Sequence, residues 1–478
     1  MIVRDEAAFL PGCLASLEGL ADEVIIVDTG STDQTVELAC ASGATVLHQE
    51  WQDDFSAPRS LAAQHARGEW ILVLDADERI HPQGHQALRK ALQAADRQFD
   101  IVLLPLYNAD RLDASMDAVI SGENQLMPPQ LLPRIFRNID NIRWNRRVHE
   151  GPHEWMNHTQ RTARPLKNVP IVHYGAVPSH RKAQNKNVRN RRLLELDCAQ
   201  HPEDHGARRH LAYEYLSEGD HQSAKREVAK AYATIRTLTE DNRPGARRPL
   251  SVAIVTLHAH YLQQEGKLLE ALEALSFSLA LSRGGLDENH PNLTYQQGQI
   301  YEALATQATE PKLGLGYLRD AEQAYRNCII KHGSFLSEAL NPPQCTGSAG
   351  WRRLGAVLLK LEQFESARHA FEEAHKLDPS DASAQLGLAE ALIELNEVEL
   401  ALQMLHSMDE HQSSPDTLTL LALAYDRAHD SIHVLAHARR ALIARRSLPM
   451  QEHHRMHKLQ RVCQQHAHGP LQPVQVRQ

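Results

Sequence analysis

A spacing that recurs along the second half of the chain constrains its fold more than any other feature. From Trp351, apolar or small residues fall at Leu354, Gly355, Leu358, Ala367, Phe371 and Ala374, and Pro379 closes the run. One period of 34 residues later, Leu388, Ala389, Leu392, Ala401, Leu405 and Met408 hold the same places. Earlier, Leu211, Ala212, Tyr215, Gly219, Ala224 and Ala231 keep this spacing, and Ala259, Gly266 and Ala271 keep part of it. Small residues at fixed places let paired helices approach closely. Each pair buries its apolar face only against its neighbours, so the units must stack. The register breaks around residues 242–249 and 308–316, and a degraded pair near Ala424 and Ala436 reads as the cap.

Up to about residue 175 a different pattern rules. Short apolar runs at 24–28, 45–47 and 70–74 read as strands, with a helix over 56–66 and later strands at 101–104, 134–136 and 169–172. Ser31 or Thr32 is placed to cap a helix carrying Val36, Leu38 and Ala39. Such runs joined by helices predict a parallel sheet with helices on its faces. At roughly 150 residues per domain, 478 residues suggest two or three domains. The expected division is an α/β domain over 1–180, a basic linker or helix over 181–205, repeats over 206–450 (clearest at 348–412) and a polar tail over 451–478.

Three features of the first part carry chemistry. Asp28 stands at a strand's carboxyl end, where open α/β sheets bind ligands and where an acid accepts from a base N–H or ribose hydroxyls. Asp is equally a turn residue. Asp75, Asp77 and Glu78 follow the run Trp70-Ile-Leu-Val-Leu74. Crowded carboxylates call for a cation, and hard oxygen ligands suit Mg2+ or Mn2+ with substrate phosphates. Between them, Arg59 in Phe55-Ser-Ala-Pro-Arg59 opens a helix from which two parallel donors can reach a diphosphate.

Together with Met1-Ile-Val-Arg-Asp-Glu6, Val27-Asp-Thr-Gly-Ser-Thr-Asp33, Gly68-Glu-Trp70 and Leu74-Asp-Ala-Asp-Glu78, these motifs match in order and spacing. The set resembles the family 2 glycosyltransferases, and the repeats resemble the tetratricopeptide pattern. It is most similar to bacterial members that join the two, a group including peptide S-glycosyltransferases. The fold so implied is an α/β GT-A domain (Rossmann-like, a mostly parallel sheet with helices on both faces) followed by an all-α tetratricopeptide-repeat solenoid. The implied function is metal-dependent transfer of a sugar from a UDP-sugar, with inversion, to a peptide, protein or envelope saccharide. A protein partner on the repeats is also implied.

Carried over to this chain, the resemblance places Asp28 on the base, Arg59 near base and diphosphate, Asp75 on the ribose, and Glu6 within the nucleotide site. Asp77 would hold Mn2+ or Mg2+, with His173 in Ile171-Val-His-Tyr-Gly175 as the second ligand. Inversion needs a carboxylate to take the acceptor proton. Glu150 in Val148-His-Glu150 fits, and Glu154 repeats the His-Glu dipeptide as the alternative. The basic run 181–192 is either a lid over the diphosphate or a solvated linker. Two departures stand out. Ser60 replaces the usual Asn after Arg59, which changes a helix contact. The sequence also opens inside the first strand, so either the true start lies upstream or the first strand is short, and either weakens the sheet around the base pocket.

A formal net charge of −9 disfavours a general nucleic-acid or anionic-membrane binder. Mean hydropathy is −0.45, no apolar run spans a membrane, and the first residues are no signal peptide. A soluble cytoplasmic protein is expected. Six cysteines without a Cys-x-x-Cys pair and 29 scattered histidines argue against a disulfide framework or structural zinc. The rival function is a non-catalytic repeat scaffold with a sugar-nucleotide sensor or relic transferase domain. Retention of Asp28, Arg59, Asp75 and Asp77 together argues against it.

Overall fold

The computed structural model describes residues 1–95, 99–127, 129–139, 141–152, 155–156, 162–179, 186–237, 248–281, 291–334, 347–412, 414–445 and 453–467. They form two compact units, one carrying the described residues up to 281 and the other those from 291 on.

The first unit opens with three parallel strands, β1 Ile2–Val3, β2 Ile25–Asp28 and β3 Thr45–His48, in that spatial order. Helices α1 Leu10–Ala15 and α2 Thr35–Ala41 lie in the connections. Parallel strands covered on both faces favour β-branched residues. Ile26 and Val27 accordingly expose no surface. The α2 cap differs from expectation. Its N-cap is Gln34, without a side-chain bond. Ser31 and Thr32 are instead engaged by the β1–α1 loop: Ser31 Oγ accepts from Asp5 N–H, and Thr32 N–H donates to Asp5 Oδ1.

Helix α3 Ser56–His65 leads to β4 Trp70–Leu72, and residues 75–77 turn the chain into β5 Glu78–Ile80. Then come α4 His85–Gln93, β6 Ile101–Asn108, α5 Met116–Ile120, β7 Gln130–Arg137, β8 Ala163–Pro165 and β9 Ile171–His173. These strands make a second sheet, β4-β7-β6-β9-β5, with β8 beside β6. The sheet is mixed. β6 pairs parallel with β8 and β9, whereas β4–β7, β6–β7 and β5–β9 are antiparallel. An apolar run marks a buried strand but not its direction, so sequence left this mixture unread. Strand β4 takes β7 as its partner. A cavity of about 350 Å³ lies between Met1, Val24 and Ile25 on one side and Trp70, Leu72 and Leu74 on the other.

Among the described residues, five helices complete this unit: α6 Lys186–Gln200, α7 His205–Ser217, α8 His221–Arg236, α9 Arg248–Gln264 and α10 Leu268–Leu281. Asp204 caps α7 by accepting from the Gly206 and Ala207 N–H groups, and Asp220 caps α8 from Ser223. The repeat positions Ala212, Ala224, Ala231, Ala259 and Ala271 are fully buried.

Among its described residues the second unit is helical: α11 Pro291–Gln307, α12 Pro311–Ser334, α13 Gly347–Lys360, α14 Phe364–Leu377, α15 Ala382–Glu394, α16 Val398–Gln412, α17 Pro415–Arg427, α18 Ser431–Arg445 and α19 His453–Ala467. One apolar cluster runs through it from Tyr325 to Val462. Phe371 of α14 is its keystone. A Cβ on Gly355 of α13 would stand 2.8 Å from the ring, and one on Gly387 of α15 would overlap it. The repeat also fixes the backbone. Left-handed residues follow the first helix of five pairs: Gly219, Gly266, Glu362, Asn396 and His429. Glycine meets that demand without strain, and the last three meet it despite a Cβ.

Two expectations change, the cap and the tail. Residues 242–247 lie outside those described, so that break is untested. The break at 308–316 is a short turn leading into α12, a helix of 24 residues that Pro311 opens and that absorbs the register slip. The pair at Ala424 and Ala436, α17 and α18, does not end the array, and residues 453–467 are no tail. They form α19, whose Leu459 and Val462 are buried and whose Arg455 and Lys458 reach Glu390 and Glu394 of α15 at 2.8 and 2.6 Å. Polar composition masked a narrow apolar stripe at helical spacing. Among the described residues no helix is long and apolar enough to cross a membrane.

Candidate active site

The antiparallel register of β5 with β9 builds the centre of the site. Glu78 stands opposite His173, and Tyr174 N–H donates to Asp77 O at 2.9 Å. The turn after β4 is thereby brought against the end of β9. Asp77 Oδ2 lies 3.7 Å from His173 Nε2 and 3.6 Å from Lys186 Nζ, at the start of α6. His173 Nδ1 meets Asn108 Oδ1 at 2.8 Å, so that ring nitrogen donates and Nε2 faces Asp77. Burial opposes charge on the imidazole, but the facing Asp77 carboxylate overrides it and holds His173 above its ordinary value. Burial likewise pushes Asp77 up, and His173 more than reverses this. Only glycine fits at 175. An added Cβ there would overlap the Asp77 carboxylate and approach His173 Nε2 to 2.9 Å.

Arg59 of α3 gathers a second group. It is 7% exposed and gives Nη2 to Asp75 Oδ1 at 2.9 Å. Nε and Nη2 reach Glu150 Oε1 at 3.2 and 2.7 Å. Burial works against the guanidinium charge, and Asp75 and Glu150 outweigh it. Asp75 is pushed up by burial and pulled well below the usual carboxylate range by Arg59 and then Arg134. Arg134 of β7 also pairs with Glu78, whose Oε2 accepts from Asp75 N–H at 3.0 Å. Ser60 accepts from Trp144 N–H at 2.9 Å, so the residue that departs from the family pattern anchors the start of the Glu150 loop. Glu154 lies outside the described residues.

The remaining expected residues sit at the edges. Burial, then the charge of Asp77, pushes the Glu6 carboxyl up to about 7, against the opposing pull of Lys186. Asp28 is buried and spends its carboxylate on its own turn, accepting from Gly30 and Ser31 N–H at 3.1 Å each. Its turn role is thus observed, and it makes its bonds apart from the Arg59 cluster. Sequence reading missed Asn108 and gave Gly175 and Lys186 no role of their own. Asn108 carried no signal, while the other two lay in segments already singled out. Of the basic run, residues 181–185 lie outside those described and 186–192 form the first turns of α6. Lys186, Arg189 and Arg192 recur every third residue. They meet Asp77, the Phe55 ring (5.0 Å) and Asp53 (2.6 Å), respectively.

Does this set suit a divalent ion? Among the described residues no group of three or more His, Cys, Asp or Glu side chains is arranged to hold one. One carboxylate and one imidazole nonetheless face each other across a floor that only glycine allows. Mg2+ and Mn2+ commonly take few protein ligands and complete their shells with water and phosphate. The residues therefore fit an ion that is shared with a diphosphate.

The glycosyl transferase family 2 model matches residues 1–183, and a tetratricopeptide repeat model matches 358–430. A TPR repeat-containing protein of Synechococcus elongatus is 31% identical over 394 residues, covering 78% of this chain and 90% of its own. The prophage-derived glycosyltransferase SunS of Bacillus subtilis is 26% identical over 209 residues, 43% of this chain and 45% of SunS. An uncharacterized glycosyltransferase of Rickettsia bellii is 34% identical over 114 residues, 23% of this chain and 38% of that one. The alignments with these two transferases thus span less than half of each. The chain thus joins a family 2 glycosyltransferase domain to tetratricopeptide repeats, and it belongs to one family with the TPR repeat-containing protein of Synechococcus elongatus.

Proposed function

We propose that the first unit transfers a sugar from a UDP-sugar to an acceptor hydroxyl or thiol, with inversion. The observation that carries this reading is the convergence of Arg59, Asp75 and Glu150 beside the facing pair Asp77 and His173. Asp28 and Glu6 would take the base end of the nucleotide and Asp75, with a 43% exposed side chain, the ribose. Asp77 and His173 would hold Mn2+ or Mg2+, which when bound neutralises charge on the diphosphate. Lys186 and Arg189 add positive charge on the same side, so a departing UDP meets fixed cations without reorganisation. Arg59 occupies Glu150 Oε1 and orients the carboxylate, leaving Oε2 to receive the acceptor proton.

The repeats would present the acceptor or a partner protein, because stacked helix pairs form extended concave surfaces. A peptide or protein acceptor suits such a surface, and an envelope saccharide is the alternative. Release of free sugar from UDP-sugars in Mn2+ tests the reading without knowledge of the acceptor. Wild type should hydrolyse at least one donor slowly, Asp77→Ala should fail, and Glu150→Gln should be strongly slowed. No turnover of any UDP-sugar by the wild type would favour the scaffold reading.

A further inference from the structure

Glu150 ends a loop that does not hold its own shape. Arg146 and His149 both adopt left-handed backbone, with φ of 74° and 52°, a region disfavoured for residues bearing a Cβ. Asn145 and Gly151 bridge the loop ends through N–H···O bonds of 2.9 and 3.3 Å. Between them, many of the restraints come from α6 and α7, outside the α/β layers. Asp204 receives Arg146 Nε and Nη2 at 2.7 and 2.9 Å, a two-pronged contact that fixes orientation. Asp197 accepts from Arg147 N–H at 2.9 Å. Val148 packs with Leu193, Leu194 and Leu211. The His210 ring of α7 lies 4.0 Å from that of His149, only 12° from parallel. Gly206 leaves room for this, since a Cβ there would overlap the Arg146 guanidinium.

Strained residues persist only where their surroundings over-determine them. Here each left-handed residue has its own clasp on α7: Asp204 for Arg146 and His210 for His149. We infer that Asp204 and His210 are positioning residues for the reaction, acting through Arg146 and His149 to set the Glu150 carboxylate against Arg59. The first repeat-like helix is then part of the catalytic apparatus as well as the start of an array. This rests on the reading of Glu150 as the base.

The test uses the full chain in Mn2+, with kcat and donor KM for UDP-sugar hydrolysis. His210→Ala should lower kcat about 10-fold or more with donor KM within about twofold, because a base displaced by a fraction of an ångström loses rate and not donor affinity. His210→Phe keeps a flat ring on His149 and should recover most of the rate. Asp204→Asn should behave like His210→Ala. Amide exchange across residues 145–151 should quicken about tenfold in His210→Ala, with β2 unchanged, a readout that needs no turnover. Wild-type rate and exchange in His210→Ala, or a His210→Phe as slow as His210→Ala, would overturn the inference. Full turnover by Glu150→Gln would instead overturn the base reading, and this inference with it.

Discussion

Replacing Arg59 with Met keeps most of the side-chain volume and removes the cation that gathers the site. The cost follows from what is left behind. Glu150, with a side chain only 14% exposed, loses both of its guanidinium contacts. Asp75, 43% exposed, loses one and retains solvent. Removing one partner of a buried pair costs about 3–5 kcal/mol. The share of Asp75 is discounted by its exposure, so the total should fall near the lower end, about 3 kcal/mol. Four of the five tryptophans, at 51, 70, 144 and 155, belong to the first unit, so fluorescence in urea follows that unit. At a slope of roughly 1–3 kcal/mol/M the midpoint should drop by about 1–3 M. The pH dependence supplies a sign. In the wild type Asp75 lies below its ordinary range, so its contribution is present above about pH 4 and lost as pH falls through its lowered value. In the variant Asp75 lacks that cation and takes up a proton more readily, so the gap between the proteins should narrow from about pH 7 to about pH 5. A gap below about 1 kcal/mol at pH 7, or one that does not narrow, would refute the role given to Arg59.

Gly175→Ala should abolish metal-dependent UDP binding while leaving the second unit's melting unchanged, because its Cβ would press on Asp77 and His173; calorimetry with and without Mn2+ checks this. Gly387→Ala should cost about 1–3 kcal/mol of second-unit stability by overlapping Phe371. Gly316→Ala in α12, with open space around its Cβ, should instead gain up to about 1 kcal/mol; circular dichroism melts that reverse this order would contradict the packing. The Glu6 carboxyl, raised to about 7, favours the neutral form in the folded state. First-unit stability in EDTA should therefore decline as pH rises through 7, and Glu6→Gln should remove part of that decline; an equal decline in both proteins would count against it.

Much of the architecture was readable because two periods encode it. The repeats at Trp351 and Leu388 place small and apolar residues where helices must meet, and the first three strands announce themselves as short β-branched runs. What escaped has physical causes. Strand β5 begins with Glu78 and Arg79, charged residues that read as a continuation of the acidic turn until Arg134 pairs with Glu78. Helix α19 hid among histidines and arginines, its Leu459 and Val462 too few to stand out. The site divides in the same way. Asp75, Asp77 and Arg59 sit in compact motifs that a reader can find. Asn108 and Asp204 lie 65 and 58 residues from His173 and Arg146, the residues they bond, and nothing local marks them.

The central claim is that the first unit holds a nucleoside diphosphate with a divalent ion at Asp77. Calorimetric titration of UDP, GDP and dTDP into wild type and Asp77→Ala, with and without Mn2+, tests it directly. UDP should bind the wild type with Mn2+, binding should weaken sharply without the metal, and Asp77→Ala should lose it. Failure of every nucleotide to bind under any condition, or undiminished metal-dependent binding by Asp77→Ala, would contradict it.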